Sequence, residues 1–169
     1  MSAAAPTLLT GLLPRRGRVL LIGAGTEALG VSLALRGHHC VGVLPEPEAA
    51  ALARDAEPLL RWVEGDADSL LLPGRAFDLA VLGEEAVLAR SRRTLVPALA
   101  RVAWHLGASG RLAAGFAPTS TAYGDALPLR DYDRACAAAD LAYEARYADW
   151  SAARFVAGGC FAVSVHRRR

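Results

Sequence analysis

The chain has 169 residues, 53% of them hydrophobic and 21% charged, the make-up of one folded domain with a substantial core and not of a disordered segment. Its formal net charge of +2 is too small to point to nucleic acid, and no run approaches the roughly 20 apolar residues of a membrane span. All nineteen basic residues are arginine, so a Schiff-base lysine, a P-loop lysine and a serine–lysine pair are excluded.

Residues 18–23, RVLLIG, are a short apolar run closed by a glycine, the pattern of a buried parallel strand. Gly23-Ala24-Gly25 follows, where residues without a bulky Cβ let the backbone turn sharply and approach a ligand closely. Thr26 is placed to N-cap the next helix, with Glu27 in its positive first turn. Leu29, Leu33 and Leu35 are expected to pack that helix on the sheet, and Gly37 to close it. The second strand begins over 41–44. A helix introduced by Pro45 and Pro47 covers 46–54, and a short strand over 59–63 ends in Glu64-Gly65-Asp66-Ala67. Residues 69–76 read as a loop and 77–82 as a strand entering a core. Helical spacing runs over 87–106, with a break expected near Pro97 and an end at Gly107. A fifth strand spans 111–116, a turn-rich loop 117–128 and a helix 129–139. Residues 141–150 and 159–167 read as strands with no room for a crossover helix between them, so they should pair antiparallel. No repeat or linker interrupts the series, and a single domain over 1–169 is expected.

Cys40, Cys136 and Cys160 are scattered and odd in number. They suggest neither a disulfide framework nor a metal site and fit a reducing, cytoplasmic setting. The arginine-only usage, with no asparagine or glutamine, looks like a high-GC bacterial coding sequence. Residues 1–16 place their charges after the apolar part, unlike a secretory signal. Arg167-Arg168-Arg169 reads as a solvated end.

The stretches VLLIGAGTE, RGHHCVGVLPEPE, EGDADSLLLPGRAFDLAVL and CFAVSVHRR, taken in this order, resemble the class I S-adenosylmethionine-dependent methyltransferases over roughly 18–169. The resemblance implies an α/β fold: a Rossmann-like, mostly parallel seven-stranded sheet with helices on both faces and a C-terminal antiparallel hairpin. It implies S-adenosyl-L-methionine as cofactor. Gly23, Ala24 and Gly25 would cradle its methionyl part, position 44 would hold the ribose, Asp66 and Ala67 the adenine, and Gly83 would border the site past the fourth strand.

Three positions depart from that pattern. Leu44 stands where a carboxylate accepts two ribose hydrogen bonds, Leu21 where an acid often precedes the turn, and Glu27 where a third glycine is usual. Losing a charge-assisted hydrogen bond costs about 1.5–3 kcal/mol, roughly ten- to a hundredfold in affinity. Glu46 or Glu48 reaching back would replace the missing carboxylate; alternatively both simply begin a helix. The departures keep a non-catalytic relative, serving as a partner subunit, among the readings.

A nicotinamide or flavin dinucleotide domain is the rival, since residues 23–28 satisfy its GxGxxA form. It too wants an acid near Leu44, or an arginine for a 2′-phosphate. Glu27 would repel an anionic pyrophosphate, whereas S-adenosylmethionine has none. A P-loop is excluded because no Gly-Lys-Ser/Thr follows the glycines.

Methyl transfer is an in-line displacement, so much of its catalysis is alignment, with a base where the acceptor must lose a proton. The catalytic candidates are Glu84 and Glu85, just past the fourth strand, and Tyr123 in the 117–128 loop beside Asp125. Two acids before Ala86-Val87-Leu88 more often merely start a helix, and Tyr123 reads equally as a partly buried loop aromatic. The segment lacks the Asn/Asp-Pro-Pro-aromatic signature of nucleobase amino methylation, so a small-molecule acceptor is expected and not nucleic acid. His105 is expected to pack or cap a helix, His38 and His39 to face opposite ways, and His166 to lie near the surface. Neither a hydrolase triad nor a zinc-ligand cluster appears. Little chain precedes the first strand, so a lid is expected from 117–128, from another subunit or from nowhere. The last case would be a binding or structural module that kept the fold and lost the reaction. A homodimer or protein partner is one expectation.

Overall fold

The computed structural model describes residues 7–73 and 76–169; positions 1–6 of the N-terminal segment and 74–75 of the loop expected over 69–76 lie outside them. The helices are α1 (Thr7–Leu12), α2 (Glu27–Ala34), α3 (Pro47–Ala56), α4 (Glu84–Leu88), α5 (Arg92–His105) and α6 (Leu129–Ala138). The strands are β1 (Arg18–Ile22), β2 (His39–Leu44), β3 (Arg61–Glu64), β4 (Phe77–Leu82), β5 (Leu106–Phe116), β6 (Leu141–Tyr147) and β7 (Ala162–Arg168). They form one seven-stranded sheet in the order β3-β2-β1-β4-β5-β7-β6. Strands β1 to β5 run parallel, and β7 is antiparallel to both β5 and β6. This is the Rossmann-like methyltransferase sheet that the resemblance implied.

The central strands are apolar throughout because both faces of a parallel sheet are covered. Alternation then divides them between two layers. Leu20 and Ile22 of β1 join Leu99, Val102, Phe116 and Tyr132 beneath α4, α5 and α6. Val19 and Leu21 join Leu9, Leu33, Ala50 and Val163 beneath α1, α2 and α3. Helix α2 approaches the sheet closely at Gly30, where a Cβ would lie 2.4 Å from Leu21 Cδ1. Leu33 is fully buried and Leu29 half-buried, but Leu35, expected to pack on the sheet, is 72% exposed. It lies past the last turn of α2, which Gly37 closes at φ 87°.

The helical stretch expected over 87–106 is two helices. Its break falls at 89–91 and not at Pro97, which lies inside α5. The amides of Thr94 and Leu95 turn back to the Ser91 carbonyl at 3.0 Å and restart the chain. Pro97 forgoes one helical hydrogen bond, and burial of Leu95, Ala98, Leu99 and Val102 holds α5 continuous around it. Gly107 does not end this helix by a turn, because β5 begins directly at Leu106 and its pairing with β4 shifts register between Phe77 and Leu79.

The C-terminal hairpin is tied to α6 by polar groups. Arg146 of β6 donates to Asp133 of α6 and to Ser164 of β7, and His166 of β7 lies 3.2 Å from the same aspartate. His166 is therefore fully buried and not near the surface, between the rings of Tyr132 and Tyr143. Among the described residues no helix is long and apolar enough to cross a membrane.

Candidate functional site

At the carboxyl edge of the sheet the backbone ladder extends one residue past the strands. The amides of Gly23, Gly65 and Gly83 donate to the carbonyls of Val43, Leu44 and Ile22 at 3.1, 2.9 and 3.0 Å. The three turns thereby sit side by side at the edge where open α/β sheets bind ligands.

The first turn is held by glycine geometry. Gly23 and Gly25 have φ values of 90° and 86°, which β-carbon-bearing residues adopt only at a cost. A Cβ on Gly23 would lie 2.8 Å from Ala86 Cβ, and one on Gly83 only 2.6 Å from the Ala24 carbonyl oxygen. The turns after β1 and β4 therefore interlock. A Cβ on Gly25 would meet no atom within 4 Å and would project into open space. Thr26, expected to cap α2, is buried with helical backbone angles and makes no cap bond. Its hydroxyl instead donates to the Gly23 carbonyl at 2.8 Å and closes the turn on itself.

Two cavities adjoin this interlock. The first, of about 280 Å3, is lined by Gly23, Pro45, Asp66, Ala67, Glu85 and Arg90 among others. The second, of about 350 Å3, is lined by Ala24, Gly25, Gly83, Glu84 and Glu85, and by the aromatic rings of Tyr123, Trp150 and Phe161. Of the expected cofactor residues, Gly23, Asp66 and Ala67 thus meet in the first cavity and Ala24, Gly25 and Gly83 in the second. Leu44 lines neither: it is 5% exposed and packs in the layer that holds Leu21, Ala50 and Trp62. Pro45 takes its place in the wall, because the strand end turns the Leu44 side chain into the core. Glu46 and Glu48, the alternative carboxylates, are exposed and line neither cavity.

Asp66 is fixed by its own turn. Its Oδ1 accepts from the amides of Asp68 and Ser69 at 2.9 and 2.8 Å and from the Ser69 hydroxyl at 2.9 Å. Partial burial opposes its charge, but those bonds and the Arg90 guanidinium outweigh it and hold the carboxyl below its usual range. Oδ2 has no hydrogen-bond partner among the described residues. Arg90 bridges to Asp68 at 3.0 Å and donates to the Ala86 carbonyl, while its buried Nε is unpartnered.

His105, fully buried at the end of α5, clamps this loop from behind. Its Nδ1 lies 2.8 Å from the Arg101 carbonyl, and its Nε2 accepts the Leu72 amide at 3.0 Å. Nδ1 therefore carries the proton, and burial pushes the imidazole pKa below its usual value. Arg101 adds a bond to the Leu70 carbonyl at 3.3 Å. The loop that presents Asp66 is thus bolted to α5.

The catalytic candidates separate by their partners. Glu84 accepts the Ala117 amide at 2.9 Å and ties α4 to the end of β5. Glu85 lines both cavities, and its carboxylate has no hydrogen-bond or ion-pair partner among the described residues. Tyr123 is 45% exposed at the rim of the second cavity.

Trp150 and Phe161 were not singled out in the sequence. They bracket the β6–β7 connection and lean over Gly115 of β5, where a Cβ would come within 2.4 Å of the indole and 3.0 Å of the phenyl ring. A glycine in a strand facing two distant aromatics was the available signal. The hairpin connection therefore supplies part of the wall of the second cavity. Among the described residues no group of three His, Cys, Asp or Glu side chains is arranged to hold a metal ion.

A family model described as "Methyltransferase domain" matches residues 20–112, more than half of the chain. Among solved structures, 97% of the chain superposes on 86% of a TehB-like SAM-dependent methyltransferase from Corynebacterium glutamicum, at 27% identity and a TM-score of 0.85. The CcbJ methyltransferase from Streptomyces caelestis shares 16% identity, with a TM-score of 0.84 over 97% of this chain and 93% of that one. A geranyl diphosphate C-methyltransferase from Streptomyces coelicolor A3(2) shares 14% identity, with a TM-score of 0.73 over 99% and 80% of the two chains. At those last two identities the likeness is one of fold. No curated protein matches the chain in sequence. The chain belongs to the class I S-adenosylmethionine-dependent methyltransferase family, whose methyl donor is S-adenosylmethionine.

Proposed function

We propose that this single domain is a methyltransferase that binds S-adenosylmethionine across the first cavity and the Gly23–Gly25 turn and methylates a small molecule held in the second. The observation that carries this reading is the meeting of two cavities at one interlocked pair of turns, with the unpartnered Glu85 in both walls. Asp66 offers its free Oδ2 to an adenine amino group, and Ala67 lines the same wall. The open space beside Gly25 leaves room for a methionyl chain. Arg90 pairs with Asp68, and the remaining acids of the first cavity, Asp66 and Glu85, suit a cationic sulfonium and oppose a pyrophosphate, which argues against the dinucleotide reading. The bound donor supplies an activated methyl group; the chain aligns the acceptor with it and excludes competing orientations.

Calorimetric titration with S-adenosylhomocysteine, with NAD as control, tests the reading. Micromolar binding of the former alone is expected. Asp66→Asn keeps the Oδ1 turn but places a donor at Oδ2, so at least tenfold weaker binding is expected for loss of a charge-assisted bond. NAD binding, or no heat from either ligand, would overturn it. The burial of Leu44 favours one second reading: a donor site without its ribose carboxylate that binds weakly and serves a catalytic partner. Titration heat without turnover on any amine, hydroxyl or thiol acceptor is its mark.

A further inference from the structure

We propose that the acceptor is a flat, apolar molecule carrying a basic nitrogen, with its ring against Trp150 and Phe161 and its nitrogen turned towards Glu85. The inference rests on the methyltransferase reading and adds the acceptor's chemistry to it.

The second cavity has an unusual lining for this chain. Among the described residues, Tyr123, Trp150 and Phe161 give it three aromatic side chains, Glu84 and Glu85 are its charged residues, and no arginine lines it. Arginines instead line a separate groove that shares Tyr123 and includes Arg90, Arg93 and Asp125. A phosphate or carboxylate in the second cavity would face two carboxylates with no compensating cation among the described lining residues. A cation would meet aromatic faces and a carboxylate, both attractive. Since the Ala117 amide occupies Glu84, Glu85 is the carboxylate left to receive it. The aromatic wall is also positioned in advance: the indole lies on Gly115 with less room than a methyl group needs, so little side-chain freedom remains to be lost on binding. A volume of about 350 Å3 suits a single-ring or two-ring compound and not a polymer.

In the transfer, the bound ammonium first gives one proton to the Glu85 carboxylate, which passes it to solvent. The freed nitrogen lone pair then forms the new N–C bond as the S–CH3 bond of the donor breaks, that electron pair stays on sulfur as a thioether, and the methylated nitrogen leaves as an ammonium.

The test is an NMR titration of the full chain with phenethylamine, 2-phenylethanol and phenylacetate, with and without saturating S-adenosylhomocysteine. Phenethylamine is expected to bind at least tenfold more tightly than phenylacetate, with the alcohol between them. In Glu85→Gln the preference should fall to within about twofold, while Trp150→Leu should weaken all three probes together. Equal or tighter binding of phenylacetate, no binding of any probe, or an undiminished amine preference in Glu85→Gln would overturn the proposal. Calorimetry with S-adenosylhomocysteine on the same samples separates the two readings. Its binding without amine selectivity sinks the acceptor class alone; its failure to bind sinks the donor site whatever the amine does.

Discussion

Trp150 lies across Gly115. The indole comes from the connection between β6 and β7 and the glycine from the end of β5, and a Cβ at position 115 would stand 2.4 Å from the ring. The wall of the second cavity exists because that strand position lacks a side chain. Gly42 and Trp62, cross-strand neighbours on β2 and β3, repeat the device at 2.3 Å. Gly115→Ala should therefore move the indole and destabilise the fold by about 1–3 kcal/mol, the usual effect of overpacking. Thermal unfolding and near-ultraviolet circular dichroism would report it. An unchanged tryptophan signal would show that the ring is not seated there.

The glycines of the two turns should respond differently. In Gly83→Ala the new methyl meets the Ala24 carbonyl at 2.6 Å, backbone that cannot step aside, so both stability and donor binding should suffer. In Gly25→Ala nothing blocks the methyl, and only the positive φ of 86° opposes it, at about 1–2 kcal/mol. Its main effect should be on S-adenosylhomocysteine affinity, through space the ligand needs. Calorimetry paired with thermal unfolding distinguishes the two patterns.

Leu44→Asp would restore the carboxylate common in the family but should not tighten donor binding. The side chain packs in the core and not in the cavity, so the substitution buries an unpaired acid and should destabilise the protein by several kcal/mol. Urea unfolding and titration with S-adenosylhomocysteine decide this. Tighter binding with unchanged stability would mean that position 44 faces the ribose after all.

Glu84 is expected to act on structure through the 117–128 loop. Glu84→Gln keeps an acceptor for the Ala117 amide and should be nearly neutral in stability. Glu84→Ala leaves that amide without its partner and should cost about 1–3 kcal/mol. Equal unfolding midpoints for the two variants would contradict the assignment.

Stability should fall on mild acidification because of His105. Burial holds its native pKa below the usual histidine value, about 6.5 in the unfolded chain. Between those two values the unfolded chain binds a proton that the native one refuses. The stabilisation is thus complete above about pH 6.5 and is lost as pH falls through the window, by at most ~1.4 kcal/mol per unit. Asp66 and Asp133, both held below the usual carboxylate range, add losses only at lower pH. His105→Gln should flatten the unfolding profile just below about pH 6.5, and an unaltered slope would remove His105 from the account.

Local patterns carried the element order. The apolar runs of β1 and β4, the glycine turn, the acidic exit of β3 and the two closing strands were legible because chain neighbours alone decide periodicity and turn chemistry. The turn that carries Asp66 and Ala67 is equally local, built with Asp68 and Ser69 of the same stretch, whereas their assignment to a cofactor came from the family resemblance and not from the pattern. What only the tertiary structure decided is where side chains point once distant strands are in register. It turned Leu44 into the core, buried His166 against Asp133 and set His105 behind the Asp66 loop. It also brought Trp150 and Phe161 over Gly115, some 35 and 46 positions away in the chain. Each of these contacts depends on sheet register and on packing between segments far apart in sequence, which no local window contains.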